Sequence, residues 1–183
     1  MRKKTLIISA FPGCGKTHLF LNQAAYGYSI ADSDSSKFPK IKDWEKTYVD
    51  HIEKYIGNVD FIMFCQYPEV LCELHNRNIP FVVVAPNNDE TLLSDKERQL
   101  IKQQWFGRFI LRDNSHIKDI NSWIKELSTN YEKWTKYEYL MRYKPVSWFP
   151  LAEAQYLSDI IRDLYFKKET YEMYDAGNSI RGV

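Results

Sequence analysis

The chain lacks most of what would place it in a membrane, in a disulfide framework or on bulk nucleic acid. Its cysteines, Cys14, Cys65 and Cys72, are odd in number and form no C-x-x-C pair, so neither a disulfide scaffold nor a zinc site is indicated. Three reduced thiols in a cytoplasmic protein are expected. No apolar stretch nears the roughly 20 residues of a membrane span. Arg2, Lys3 and Lys4 precede an apolar run, but Pro12-Gly13 stops it well short of a signal-peptide core. Charge of either sign is not in excess: 25 basic residues face 24 acidic ones, for a net +1. That balance gives no support to binding through bulk charge, while leaving room for a local basic groove. Internal repeats and low-complexity tracts are also missing.

What is present suits one α/β domain. The 183 residues are 44% hydrophobic and 15% aromatic, enough for a sizeable core. Short apolar runs over 5–9, 28–31, 59–64 and 81–85 read as buried strands. Between and after them, helices are expected over 16–26, 44–56, 69–76, 91–112, 117–127 and 151–165. The alternation Tyr137, Tyr139, Met141, Tyr143 suggests a fifth strand. Ser147-Trp148-Phe149 fits no element. Strands buried on both faces and alternating with helices imply a parallel sheet covered on both sides.

The most specific motif is Ala10-Phe-Pro-Gly-Cys-Gly-Lys-Thr17, lying between the first strand and the first helix. Gly13 and Gly15 let the backbone turn so that successive N–H groups converge on phosphate oxygens. The following helix adds its positive end. Lys16 is placed to reach β- and γ-phosphates, and the Thr17 hydroxyl to hold magnesium. The expected ligands are therefore ATP and Mg2+, with Gly13, Cys14, Gly15, Lys16, Thr17 and His18 as the nucleotide-binding residues. Cys14 reads as a small spacer rather than a redox group.

Two further absences narrow the class. The third strand runs into Phe64-Cys65-Gln66 with no acid at its end, and Asp60 lies at its opposite, N-terminal end. No Asn-Lys-x-Asp base-reading motif occurs. The acids instead follow the second strand, as Asp32 and Asp34 in Asp-Ser-Asp-Ser-Ser. Ligands in open α/β sheets sit beyond the strands' carboxyl ends, so this pair should face the loop. One Asp there can support magnesium and the other an acceptor hydroxyl. An Asp- and Ser-rich turn is the structural alternative.

AFPGCGKT followed by DSDSSKF, with NIPFVVVAP and RFILRDN, resembles the nucleoside-monophosphate-kinase-like branch of P-loop kinases, and is similar to small phage-encoded nucleotide kinases. The resemblance covers about residues 5–165. It implies a single three-layer domain over 1–170 with a five-stranded parallel sheet in the order 2-3-1-4-5. It further implies an acceptor-binding insertion over 31–58 and a lid-like segment over 87–115, leaving 171–183 as a tail. The implied activity is transfer of the ATP γ-phosphoryl group to a nucleotide, nucleoside or nucleic-acid acceptor, first of all a (deoxy)nucleoside monophosphate. If the chain is phage-encoded, that activity belongs in the host cytoplasm. Asp32 and Thr17 would serve magnesium, Asp34 the acceptor, and Arg108 and Arg112 the transferring group, with Arg98 and Lys102 as weaker candidates.

The chain departs from that family in having no Arg between Arg2 and Arg77, where an acceptor-phosphate clamp is expected. Either lysines 37, 40, 42, 46 and 54 stand in, or the acceptor reacts through a hydroxyl without a clamp. Trp44, Tyr48 and Tyr55 read as a core stripe, with base stacking as the alternative. The competing function is a degenerate kinase fold or ATPase switch that binds nucleotide and regulates a protein or nucleic-acid partner.

Overall fold

The computed structural model describes residues 3–111 and 120–167. Five parallel strands form one sheet in the order β2-β3-β1-β4-β5. They are β1 (Leu6–Ala10), β2 (Ile30–Ser33), β3 (Phe61–Phe64), β4 (Val82–Pro86) and β5 (Ser147–Leu151). β1 is central, with Leu6 beside Phe61 of β3 and Ile8 beside Val82 of β4. Every residue of β1, β3 and β4 is buried, so both faces of the sheet are covered.

The helices are α1 (Lys16–Leu21), α2 (Gln23–Tyr26), α3 (Trp44–Glu53), α4 (Pro68–Asn76), α5 (Asp95–Leu111), α6 (Ile120–Thr135), α7 (Tyr137–Leu140) and α8 (Leu157–Lys167). Two of them show how local chemistry sets a boundary. At the start of α5, the Ser94 amide donates to the Glu97 carboxylate at 2.8 Å and the Glu97 amide to the Ser94 hydroxyl at 3.4 Å, a reciprocal cap. The expected helix over 16–26 is broken at Asn22, whose side-chain amide donates to the His18 carbonyl at 2.8 Å.

Two strand expectations need correction. Residues 137–143 are not a strand but α7 and a 3-10 turn over Met141–Tyr143. Leu140 is the residue buried there, off the alternating aromatic pattern, while Tyr137 stays 42% exposed. The fifth strand is Ser147–Leu151, which pairs with β4 from Val82↔Ser147 to Pro86↔Leu151. Its half-buried Trp, Phe and Pro conceal it, and Pro150 is tolerated because β5 is an edge. β2 runs two residues later than 28–31, so Asp32 belongs to the strand and Asp34 follows it. Trp44 and Tyr48 are core residues, and the Tyr48 hydroxyl donates to the Ser33 carbonyl at the end of β2.

Asp60 is structural, as its end of the strand implied. Its carboxylate accepts from the Ser29 amide at 2.9 Å and the Ser29 hydroxyl at 2.7 Å, and it pairs with Lys3. α3 and α4 are tied by Arg77, whose guanidinium pairs with Glu53 and Glu73 at 2.7 Å each and with Asp50. Arg77→Ala should lower stability by about 1–3 kcal/mol, with Arg77→Lys recovering only part because an ammonium cannot span three carboxylates. Urea unfolding followed by circular dichroism checks this. An alanine variant as stable as the parent would remove the network from the account.

Candidate functional site

The loop over 10–17 leaves β1 with the Phe11 amide bonded to the Val84 carbonyl at 2.9 Å, so its entry is fixed to the sheet. Gly13 and Gly15 have φ of 84° and 91°, values that L side chains rarely adopt. At Gly13 space adds to this, since a Cβ there would lie 3.1 Å from the Phe109 ring of α5; at Gly15 the backbone conformation decides, with a Cβ in ordinary contact with Tyr156 at 3.4 Å. The loop's far side is tied down where the Leu157 amide donates to the Cys14 carbonyl at 2.8 Å.

Lys16 Nζ donates to the Ala10 carbonyl at 2.6 Å and lies 3.4 Å from the Phe11 carbonyl, folded back over the loop. Thr17 and His18 are exposed beside it. Thr17 and Asp32 border the same cleft. Burial raises the Asp32 pKa, the Asp34 charge adds to that rise, and the Lys16 charge opposes it. Asp34 is exposed at the next turn, where Oδ1 accepts from the Ser36 amide at 2.9 Å. It therefore serves the turn with one oxygen while its residue also borders the cleft.

That cleft, of about 1460 Å³, is lined by Gly13, Gly15, Lys16, Thr17, His18, Asp32, Asp34 and Arg108. Arg108 comes from α5, its guanidinium carbon 4.0 Å from the ring centroids of both Trp105 and Tyr156. Its Nη1 donates to the Gln155 carbonyl at 2.8 Å. Arg112 lies outside the described residues. Arg98 and Lys102 are engaged elsewhere: Arg98 pairs with Asp95 and Glu90, and Lys102 pairs with Glu132 at 2.8 Å. Arg98 borders a separate, smaller cavity of about 300 Å³.

The donor set suits magnesium held jointly with phosphates better than a closed protein cage. One hydroxyl and one or two carboxylates border the loop, and among the described residues no group of three or more His, Cys, Asp or Glu could hold a metal. β3 ends at Phe64, and the residue after it, Cys65, offers a thiol whose pKa is raised by burial rather than a carboxylate. Asp32 on β2 is the acid that shares the cleft with Thr17.

Several cleft residues escaped the sequence reading. Gln66, Tyr67, Trp123 and Trp134 line it, as do Lys37 and Lys40 from the basic set already considered. Gln66 and Tyr67 follow the third strand, in the stretch between Arg2 and Arg77 that holds no arginine. Tyr156 follows a strand that the pattern did not reveal. Trp44, Tyr48 and Tyr55 do not border the cleft.

No protein-family model and no curated protein matches the chain. Among solved structures it is similar to shikimate kinase from Bacteroides thetaiotaomicron, at 11% identity and a TM-score of 0.47, over 90% of this chain and 98% of that one. It is also similar to the crystal structure of APE1195, at 13% identity and a TM-score of 0.40, over 92% and 96% of the two chains. Likenesses this distant carry nothing about chemistry; the fold rests on the sheet order and on the loop between β1 and α1.

Cys14 is fully buried, its Sγ lying 3.7 Å from the Val84 carbonyl, and burial pushes the thiol up to about 12. Iodoacetamide at pH 8 should therefore alkylate exposed Cys72 and spare Cys14, as read by peptide mass spectrometry. Rapid labelling of Cys14 in the folded protein would contradict the packing of the loop.

Proposed function

We propose that the chain is a magnesium-dependent phosphotransferase that moves the γ-phosphoryl group of ATP to a nucleotide, nucleoside or nucleic-acid acceptor, with a (deoxy)nucleoside monophosphate as the leading candidate. The observation that carries this reading is the convergence of loop, acids and arginine on one cleft: Lys16, Thr17, Asp32, Asp34 and Arg108 all border it. A phosphate-binding loop alone would fit many ATP-using proteins.

In this reading the loop amides and Lys16 hold the β- and γ-phosphates, which requires Lys16 to leave the Ala10 carbonyl. Thr17 and Asp32 would hold magnesium, which would supply charge neutralisation to the phosphates. An acceptor oxygen attacks the γ-phosphorus, and the bond from that phosphorus to the β–γ bridging oxygen breaks, releasing ADP. If the acceptor is a hydroxyl, its proton passes to Asp34; a phosphate acceptor attacks as its dianion and has no proton to give up. Arg108 compensates charge on the moving group, joined on sequence grounds by Arg112. Residues 31–58 would form the acceptor side and 87–115 the lid side of the cleft within a domain over 1–170.

The deciding experiment is transfer of labelled γ-phosphate to a panel of monophosphates, nucleosides and short DNA and RNA. Lys16→Ala should cut transfer by about 100-fold or more, and Arg108→Ala should lower kcat by about 10²–10³ with little change in nucleotide KM. Absence of Lys16-dependent transfer to every acceptor, with ATP still bound, would overturn the enzyme and favour a nucleotide-binding regulator of a partner.

A further inference from the structure

Arg108 owes its place in the cleft to two rings rather than to an acid. Its guanidinium carbon lies 4.0 Å from the ring centroids of Trp105 and of Tyr156. An acid would hold the group by its N–H donors, whereas the rings hold it by its charge. Among the described residues Arg108 has no ion pair, and its guanidinium makes one hydrogen bond, from Nη1 to the Gln155 carbonyl at 2.8 Å. Its other donors are left for a ligand.

The two rings differ in what else they do. Trp105 is a core residue, 1% exposed and packed near Phe11. Tyr156 is 40% exposed and borders the cleft. It also adjoins the loop, since a Cβ on Gly15 would meet its side chain first, at 3.4 Å. Its backbone is fixed on both sides: the Tyr156 amide donates to Asp159 Oδ2 at 2.7 Å, and the Leu157 amide to the Cys14 carbonyl at 2.8 Å. The Tyr156 hydroxyl makes no hydrogen bond among the described residues. One ring thus adjoins both the loop and the arginine, and its face is the part in use.

We infer that Tyr156 is a positioning residue for the transfer: the face of its ring sets the Arg108 guanidinium in register with the loop, so that the free donors of Arg108 meet the γ-phosphoryl group as it moves. This rests on the phosphotransferase reading. Arg108 touches the moving group, and Tyr156 acts through Arg108. An arginine side chain has many rotamers, and the ring needs only to favour one of them. Placement matters because a shift of about 1 Å at such a group can cost about 100-fold in rate. A phenylalanine keeps the face and should serve nearly as well, whereas a leucine of similar reach should not. A ring that merely walled the loop would show its loss in nucleotide binding instead of in turnover.

The test compares Tyr156→Leu and Tyr156→Phe with the parent in the full chain, using whichever acceptor of the panel takes the labelled phosphate. Tyr156→Leu should lower kcat about tenfold while ATP KM stays within about twofold, and Tyr156→Phe should recover most of that loss. Added to Arg108→Ala, Tyr156→Leu should cost nothing further, because the ring acts only through the guanidinium. A second measurement does not depend on turnover. The Arg108 δ-methylene and Nε–H signals in NMR, identified by their loss in Arg108→Lys, should be displaced by the two rings. The displacement should persist in Tyr156→Phe and shrink in Tyr156→Leu. An unchanged kcat in Tyr156→Leu, an equal loss in both variants, or a raised ATP KM at unchanged kcat would each overturn the inference. So would a further loss on the Arg108→Ala background, or Arg108 signals with no displacement in the parent. Displaced signals that respond as expected, in a protein that transfers to no acceptor, would sink the phosphotransferase reading and leave Tyr156 as the ring that places Arg108 at the loop.

Discussion

Everything in this molecule is arranged around one turn, where the chain leaves buried β1 and enters α1 through two glycines at positive φ. Phe109 presses on Gly13 and Tyr156 on Gly15, so α5 and the segment after β5 both end against the loop. The Phe11 amide on Val84 and the Leu157 amide on Cys14 fix its two flanks. A turn tied at both flanks presents pre-set backbone donors, which is what phosphate binding needs. An aromatic cluster backs it: Phe11 sits among Trp105, Phe109 and Tyr131, with centroids 5.8–6.4 Å away.

The same packing places Arg108. Held between Trp105 and Tyr156 and bonded to the Gln155 carbonyl, its guanidinium sits beside the loop without a carboxylate to neutralise it in the described contacts. Lys16 is likewise held by carbonyls rather than by acids. Positive charge is thus held close to the loop on neutral carbonyl partners rather than in ion pairs. By contrast the carboxylates of Asp50, Glu53 and Glu73 are consumed by Arg77 at a purely structural joint.

Much of the fold was legible because its central strands are continuous apolar runs and its loop has a fixed grammar. The 2-3-1-4-5 order, implied by family resemblance, is the order observed. β5 was not legible: it is an edge strand of half-buried residues with a proline, while the tempting alternation over 137–143 belongs to helical turns. In the candidate site, the loop and the Asp32–Asp34 pair could be read from local sequence, since both follow a strand. Gln66, Trp123, Trp134 and Tyr156 could not, because they meet only through the tertiary arrangement of β3, α6 and the segment after β5. Lone aromatics and a lone amide carry no spacing rule that announces a cleft.

The central claim is that residues 10–17 cradle a nucleoside triphosphate, and a crystal structure with a non-hydrolysable ATP analogue and magnesium addresses it most directly. The expected result places the β-phosphate within the loop, moves Lys16 Nζ off the Ala10 carbonyl onto phosphate oxygens, and brings the metal beside Thr17 and Asp32. An analogue bound elsewhere, or one bound with Lys16 still on Ala10, would contradict the account.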